Sequence, residues 1–307
     1  MTGIRTIAQS LTRIENRIMN LSRKSFKNIR ETTINQITGN FDYIDVSSLA
    51  NAFYIGLLSG YIHGKMSVVG ALLPKLKKKK TFEEWSDYRE IFSVFIRDKE
   101  LIMKLVKRKY TAKEAMEKFF KPNEYILEYF REYSLKLANI EVEDTIKKAT
   151  ELVRKTIEEG MSETEATKYI KSGLEKFSKH RIKAIARTEA TRGYNVGALE
   201  ESYASDVVIG YQFEAILDKR TSEICSSRWG MYIDKNDKDK LARNTPPLHV
   251  NCRSFLRMVT IYDKEMPVKK ENIPKSNLEF LQKTEQLPKP KTRDYDVNVI
   301  REILNRL

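Results

Sequence analysis

RIKAIARTEATRGYNVGALEESYASDVVIGYQF, residues 181–213, contains the change of periodicity on which the fold turns. Up to Ser205 the apolar and small residues recur with helical spacing. After Asp206 the pattern becomes Val207-Val208-Ile209-Gly210-Tyr211-Gln212-Phe213, a short run of β-branched and aromatic residues that predicts a strand. Phe255 to Ile261 has the same character, and the polar stretch between the two runs holds both cysteines, Cys225 and Cys252. Just upstream, Val142 to Glu159 reads as an amphipathic helix closed by a left-handed Gly160. Ser162 and Glu165 have capping-box spacing and open a second helix through Phe177, with Arg181 to Ser205 as a third. The class predicted is α+β, predominantly helical: a long helical N-terminal region, then a module of helices plus a small β-sheet with a Cys/His loop.

Further towards the N-terminus, Glu83 to Asn139 reads as helices, with a break at Pro122. Lys77, Lys78, Lys79 and Lys80 precede Thr81, and Glu84 three residues later completes a capping box, so the lysines are expected in a loop entering a helix. A solvated loop and a nucleic-acid contact are both open for that run. Leu49 to Pro74 is apolar but carries Asn51, His63 and Lys65 and four glycines, which predicts a buried helix or helix pair with small-residue contact faces, not a bilayer span. Ile4, Ile7, Leu11, Ile14, Ile18 and Leu21 form an a/d seam. Such a helix serves either self-association or docking onto its own domain. Downstream of Pro267, Pro and Lys dominate until Asp296 to Leu307, so an extended tail with a terminal helix is expected.

The chain has 307 residues with 41% apolar, enough for a core, and a formal net charge of +14. That excess of Lys and Arg favours polyanions, while a charge-rich surface serving stability is the bland alternative. Two cysteines make no disulfide framework, and no leader pattern opens the sequence, so synthesis in a cytoplasm is expected.

Chemistry concentrates in one region. Cys225, His249 and Cys252 are three borderline-soft ligands, two of them in His-x-x-Cys spacing, and Asp218 is a candidate fourth. The charged stretch Asp234 to Asn244 looks too weak to order itself, and a bound metal would staple it. A buried thiol pair or a disulfide is the competing reading, with His249 then merely capping the strand near Arg253. Arg187, Thr188, Glu189, Arg192, Tyr194 and Asn195 share one predicted helix, where Glu189 and Arg192 lie within a turn. Beyond a surface salt bridge, these residues are candidates for pinning loop and strand to the helix, with Asn195 or Arg192 reaching carbonyls near Asp218.

The ordered set Ile185-Ala186-Arg187-Thr188-Glu189, Asp218-Lys219-Arg220-Thr221 with Cys225 after it, the step Gly230 to Ile233, and Pro246-Pro247-Leu248-His249-Val250-Asn251-Cys252-Arg253 resembles the C-terminal module of phage head morphogenesis proteins, the Mu F-like or minor head family. The likeness covers about Glu143 to Tyr262. It implies three regions: 1–140, a helical part docking to a portal or capsid; 141–265, the module; and 266–307, the tail. It also implies a minor virion component, not an enzyme, made in the host cytoplasm and placed in the capsid interior. Its partners would be the portal, the major capsid protein and double-stranded DNA held without sequence preference; structural zinc is the cofactor that the Cys/His trio itself allows, beside the thiol-pair reading. In the motif, Arg220, Asn251 and Arg253 join Arg187, Thr188, Glu189, Arg192 and Asn195 as structural residues. Many relatives carry a second cysteine where this chain has Ser222, which leaves Asp218 or water to complete a metal site. Three alternatives remain: a metal nuclease built on His249 and Asn251, an ADP-ribosyltransferase using Arg187 and Glu189, and a zinc-stapled cellular DNA-binding protein. The first lacks further nearby histidines, and the second needs its Arg and Glu on separate strands.

Overall fold

The computed structural model describes residues 2–37, 44–77, 123–263 and 294–307. Four long helices come first: α1 (Thr2–Ile37), α2 (Val46–Lys77), α3 (Glu124–Glu158) and α4 (Glu163–Tyr203). Then follow β1 (Val208–Glu214), α5 (Glu223–Ser226), β2 (Tyr232–Asp234), α6 (Lys238–Asn244), β3 (Phe255–Thr260) and α7 (Asp294–Arg306). The three strands form one antiparallel sheet in the order β2-β1-β3. The α+β, mainly helical class read from the sequence is what the chain adopts.

Local signals operate as expected at the α3–α4 turn. Gly160 is left-handed (φ 63°), and Ser162 and Glu165 close a reciprocal capping box. Two expected helices, 162–177 and 181–205, are instead one. Ser178, at their expected junction, donates its hydroxyl to Leu174 O within the helix and breaks nothing. In the same way α3 passes residue 140 without interruption.

The apolar stretch 49–74 lies within α2, and its glycines explain its packing. A Cβ at Gly193 would meet Leu57 O and Gly60 Cα, one at Gly197 would meet Tyr61 O, and one at Gly64 would meet Tyr194 O. Gly60-x-x-x-Gly64 therefore crosses Gly193-x-x-x-Gly197 backbone on backbone, the closest approach two helices can make. Among the described residues no helix is long and apolar enough to cross a membrane. Beside the crossing, Lys65 is buried with its Nζ 3.1 Å from Glu200 and 3.5 Å from Glu201, while Tyr61 donates to Glu200.

The α1 seam turns inward. Leu11, Ile14 and Ile18 are buried on the chain's own helices, with Ile18 against Gly56, so these residues are not free for self-association. The terminal helix expected over Asp296 to Leu307 is present as α7, and its Val299, Ile300, Ile303 and Leu304 enter the main core, which also contains Leu57, Tyr61, Phe130, Tyr194, Phe213 and Phe255. Lys238 Nζ reaches Leu304 O at 2.8 Å and Arg301 pairs with Asp239 at 2.7 Å. Residues on both sides of position 140 thus share one core. Lys77 ends α2; Lys78, Lys79 and Lys80, with the Thr81/Glu84 capping box, lie outside the described residues.

Candidate metal centre

The second half of α4 presents Thr188, Thr191 and Asn195 on one helical face, at steps of three and four residues. Each bonds to the segment that carries the second cysteine. The Asn251 N–H donates to Thr188 Oγ1 at 3.0 Å, and Thr191 Oγ1 donates to Cys252 O at 2.8 Å. Asn195 Nδ2 donates to Ser254 O at 3.3 Å, and the Leu256 N–H donates to Asn195 Oδ1 at 3.0 Å. Strand β3 is an edge strand, with β1 on one side only. The Asn195 carboxamide occupies its outer side and does there what a neighbouring peptide group would do. Asn251 enters this segment in the left-handed region (φ 64°), which Asn tolerates better than most residues.

The ladder places Cys252 beside Cys225, which one-turn helix α5 supplies behind its N-cap Ser222. The two Sγ atoms are 3.7 Å apart, and His249 Nε2 lies 3.1 Å from Cys225 Sγ and 2.8 Å from Ser222 Oγ. His249 Nδ1 is 2.8 Å from Val250 O, which leaves Nε2 facing the thiols. Burial opposes charge on Cys252, yet the Cys225 thiol and the His249 ring together draw its ionisation well below the ordinary thiol range. Cys225, hydrogen-bonded to Cys252 and itself buried, is pushed upward. One thiolate with a neighbouring imidazole is the electrostatics that a cation would complete.

The three ligand atoms fit a metal. Two thiolates each about 2.3 Å from a tetrahedral ion stand roughly 3.8 Å apart, close to the separation seen. All three atoms lie within 4.8 Å of one another, so Cys225, His249 and Cys252 could hold a metal ion. Both thiols are free, not bridged.

Asp218, the candidate fourth ligand, is engaged elsewhere. Arg253 grips it with two bonds, 2.6 and 2.7 Å, and the Arg220 N–H donates to it at 2.8 Å. The Arg253 bonds hold its carboxyl well below the usual carboxylate range. Ser222 Oγ, 2.8 Å from His249 Nε2, stands beside the cluster as a candidate fourth ligand. A depression of about 10 Å³ beside the cluster is lined by Arg220, Ser222, His249, Asn251 and Arg253 among others, space for about one water molecule.

The remaining motif residues are structural in placement. Glu189 and Arg192 pair at 2.8 Å but are buried, not a surface bridge. Tyr133 donates to Glu189, and the Arg192 guanidinium stacks over the Tyr133 ring at 4.5 Å. Arg187 pairs with Glu15 of α1 at 2.9 Å. Arg187 and Glu189 are two residues apart on one helix, not the separate-strand arrangement of a transferase. Asn195 does reach backbone from the helix, as expected, but at residues 254–256 and not near Asp218. The 234–244 stretch orders itself through β2 and α6, capped by Asp237 and anchored by fully buried Leu241. Thr191 and Ser254 were not singled out in the sequence; the 188/191/195 spacing was the available signal.

Comparison with known proteins agrees with the motif reading. Residues 147–257, from the second half of α3 into β3, match the family model described as Phage Mu protein F like protein. The match points to phage head morphogenesis, the work of a structural family. No curated protein and no solved structure gives a significant match.

Proposed function

We propose that this chain is a minor head protein of a tailed virus, located in the capsid interior and associated with the portal. The zinc-stapled segment and the N-terminal helices that share its core act together as one rigid peg, and the net charge of +14 lets the surface lie against packaged double-stranded DNA without sequence preference. The observation that carries the reading is the use made of the motif inside the matched segment. Thr188, Thr191, Asn195, Asp218 and Arg253 are directed at the chain's own backbone and charges, around a depression too small for a substrate. Side chains used in this way build a scaffold. Zinc would be held by Cys225, His249 and Cys252, with Ser222 or water completing four positions, and would supply cross-linking of α5 to the β3 entry, not chemistry on a substrate.

Two measurements test this. Plasma emission on the purified protein should find about one zinc per chain, absent from Cys225→Ser and His249→Ala, with the melting temperature lowered by chelator only in the parent. Absence of metal with no chelator effect overturns the zinc staple. Separately, co-expression with the portal and capsid proteins of the virus that encodes it should leave the chain sedimenting with heads in low copy number. A chain that stays wholly in the supernatant overturns the minor-head assignment.

A further inference from the structure

Helix α1 carries seven Lys and Arg against two Glu, whereas α3, of similar length, carries six Lys and Arg against eight Asp and Glu. The positive charge is not spread evenly over the long helices. At about 100° per residue, Arg13, Arg17, Arg23, Lys24, Lys27 and Arg30 fall within an arc of about 140°, opposite buried Ile14, Ile18, Ser25 and Ile29. Asn16 and Asn20 share that arc. The two glutamates do not neutralise it: Glu15 is turned to Arg187, and Glu31 pairs with Lys27 at 3.7 Å on the open surface. Among the described residues no carboxylate lies within ion-pair distance of Arg13, Arg17, Arg23, Lys24 or Arg30. The charge is felt within the fold as well. Burial holds the His63 ring of α2 below its ordinary ionisation range, and Arg17 and Arg13 act in the same direction.

We infer that this arc of α1 is the face laid against the phosphates of double-stranded DNA. The inference rests on the DNA contact proposed above and says where on the chain it falls. Phosphate oxygens are met by Arg, Lys and Asn side chains, the residue types that the arc holds. An acidic protein partner would instead need apolar residues at the centre of its contact, and the large exposed apolar residue of α1, Leu21, lies outside the arc. Length fits too. From Arg13 to Arg30 the arc runs about 26 Å, and a duplex presents one phosphate per roughly 1.7 Å of its axis, so all six cations find partners without a base being read. The contact is therefore blind to sequence.

Fluorescence anisotropy of a labelled duplex of arbitrary sequence, titrated with the full chain from about 50 to about 200 mM salt, tests this. Six neutralised phosphates give a slope of log affinity on log salt of about −5, a loss on the order of a thousandfold over that range. Replacing Arg13, Arg17, Arg23 and Lys24 together by Gln should bring the slope to about −2. The melting temperature should not change, because all four are exposed and, among the described residues, none is ion-paired. The half-variants, Arg13→Gln with Arg17→Gln and Arg23→Gln with Lys24→Gln, should each give about −3.6. Removing the same charge elsewhere, from exposed Lys147, Arg154, Lys155 and Lys171, should leave the slope as it is. Equal losses from both sets overturn the α1 face and leave a diffuse attraction of the whole surface for DNA. A duplex unbound even at about 50 mM salt overturns the face and the DNA contact together, while the minor-head assignment is decided separately by sedimentation with heads. A labelled polyglutamate held more tightly than the duplex, through the same four residues, overturns the proposal in favour of an acidic protein partner.

Discussion

Replacing Asn195 by Ala should detach strand β3 from helix α4. The Asn195 side chain is 1% exposed and meets two backbone groups on the outer edge of β3, the Ser254 carbonyl at 3.3 Å and the Leu256 N–H at 3.0 Å. Strand β1 lies on the opposite side of β3, so truncation leaves both groups buried without a partner. Each orphaned group costs about 1–3 kcal/mol. The longer Ser254 contact belongs at the low end, which gives about 3 kcal/mol in all, a large part of the roughly 5–15 kcal/mol that holds a typical domain folded. Equilibrium urea unfolding followed by tryptophan fluorescence reads this directly: the midpoint should fall while the slope stays constant. Thr191→Val, which loses only the bond to Cys252 O, should cost about 1 kcal/mol and serves as an internal scale. An Asn195→Ala variant within about 0.5 kcal/mol of the parent, or less destabilised than Thr191→Val, would refute the edge-strand role.

Gly197→Ala should destabilise by about 3 kcal/mol or more, or abolish soluble expression, because its Cβ lands on Tyr61 O of α2; a thermal melt indistinguishable from the parent's would show that the α2–α4 crossing is looser than described. Asp218→Asn probes the Arg253 clamp through pH. The folded ionisation of Asp218 is depressed, so its stabilisation is present above the unfolded value of about 3.9 and is lost as pH falls through the lower folded value. The stability gap between parent and variant should be flat from pH 8 to about 5 and shrink only in stronger acid; a gap that closes near neutrality contradicts the assignment.

Much of this was legible because its causes are local. The change of period after Asp206, the capping box at Ser162 and the left-handed Gly160 each depend on a handful of neighbouring residues. The Cys225, His249 and Cys252 trio was legible from ligand chemistry alone. What escaped depends on partners far along the chain. Nothing local tells whether Asp218 meets a metal or Arg253, 35 residues away. Asn195 was suspected of reaching backbone, but its target lies about 60 residues on, and only the placement of β3 decides which carbonyl it finds. The gap between the expected helices, Ser178 to His180, is helical because buried Ser178 satisfies its hydroxyl on Leu174 O one turn back while Lys179 and His180 stay in solvent. The charged stretch 234–244 looks weak because few residues, Leu241, Ala242 and Asn244, anchor it, and Asn244 does so through Arg228, 16 residues back.

The crossing of Gly60 and Gly64 over Gly193 and Gly197 also has a consequence for biosynthesis. About 130 residues separate Gly64 from Gly197, and at ~5–20 residues per second the ribosome needs roughly 10 s to make them. For that interval α2 is complete while the groove that accepts its bare backbone does not yet exist. A nascent chain in that state displays an apolar, glycine-lined helix to chaperones and membranes alike.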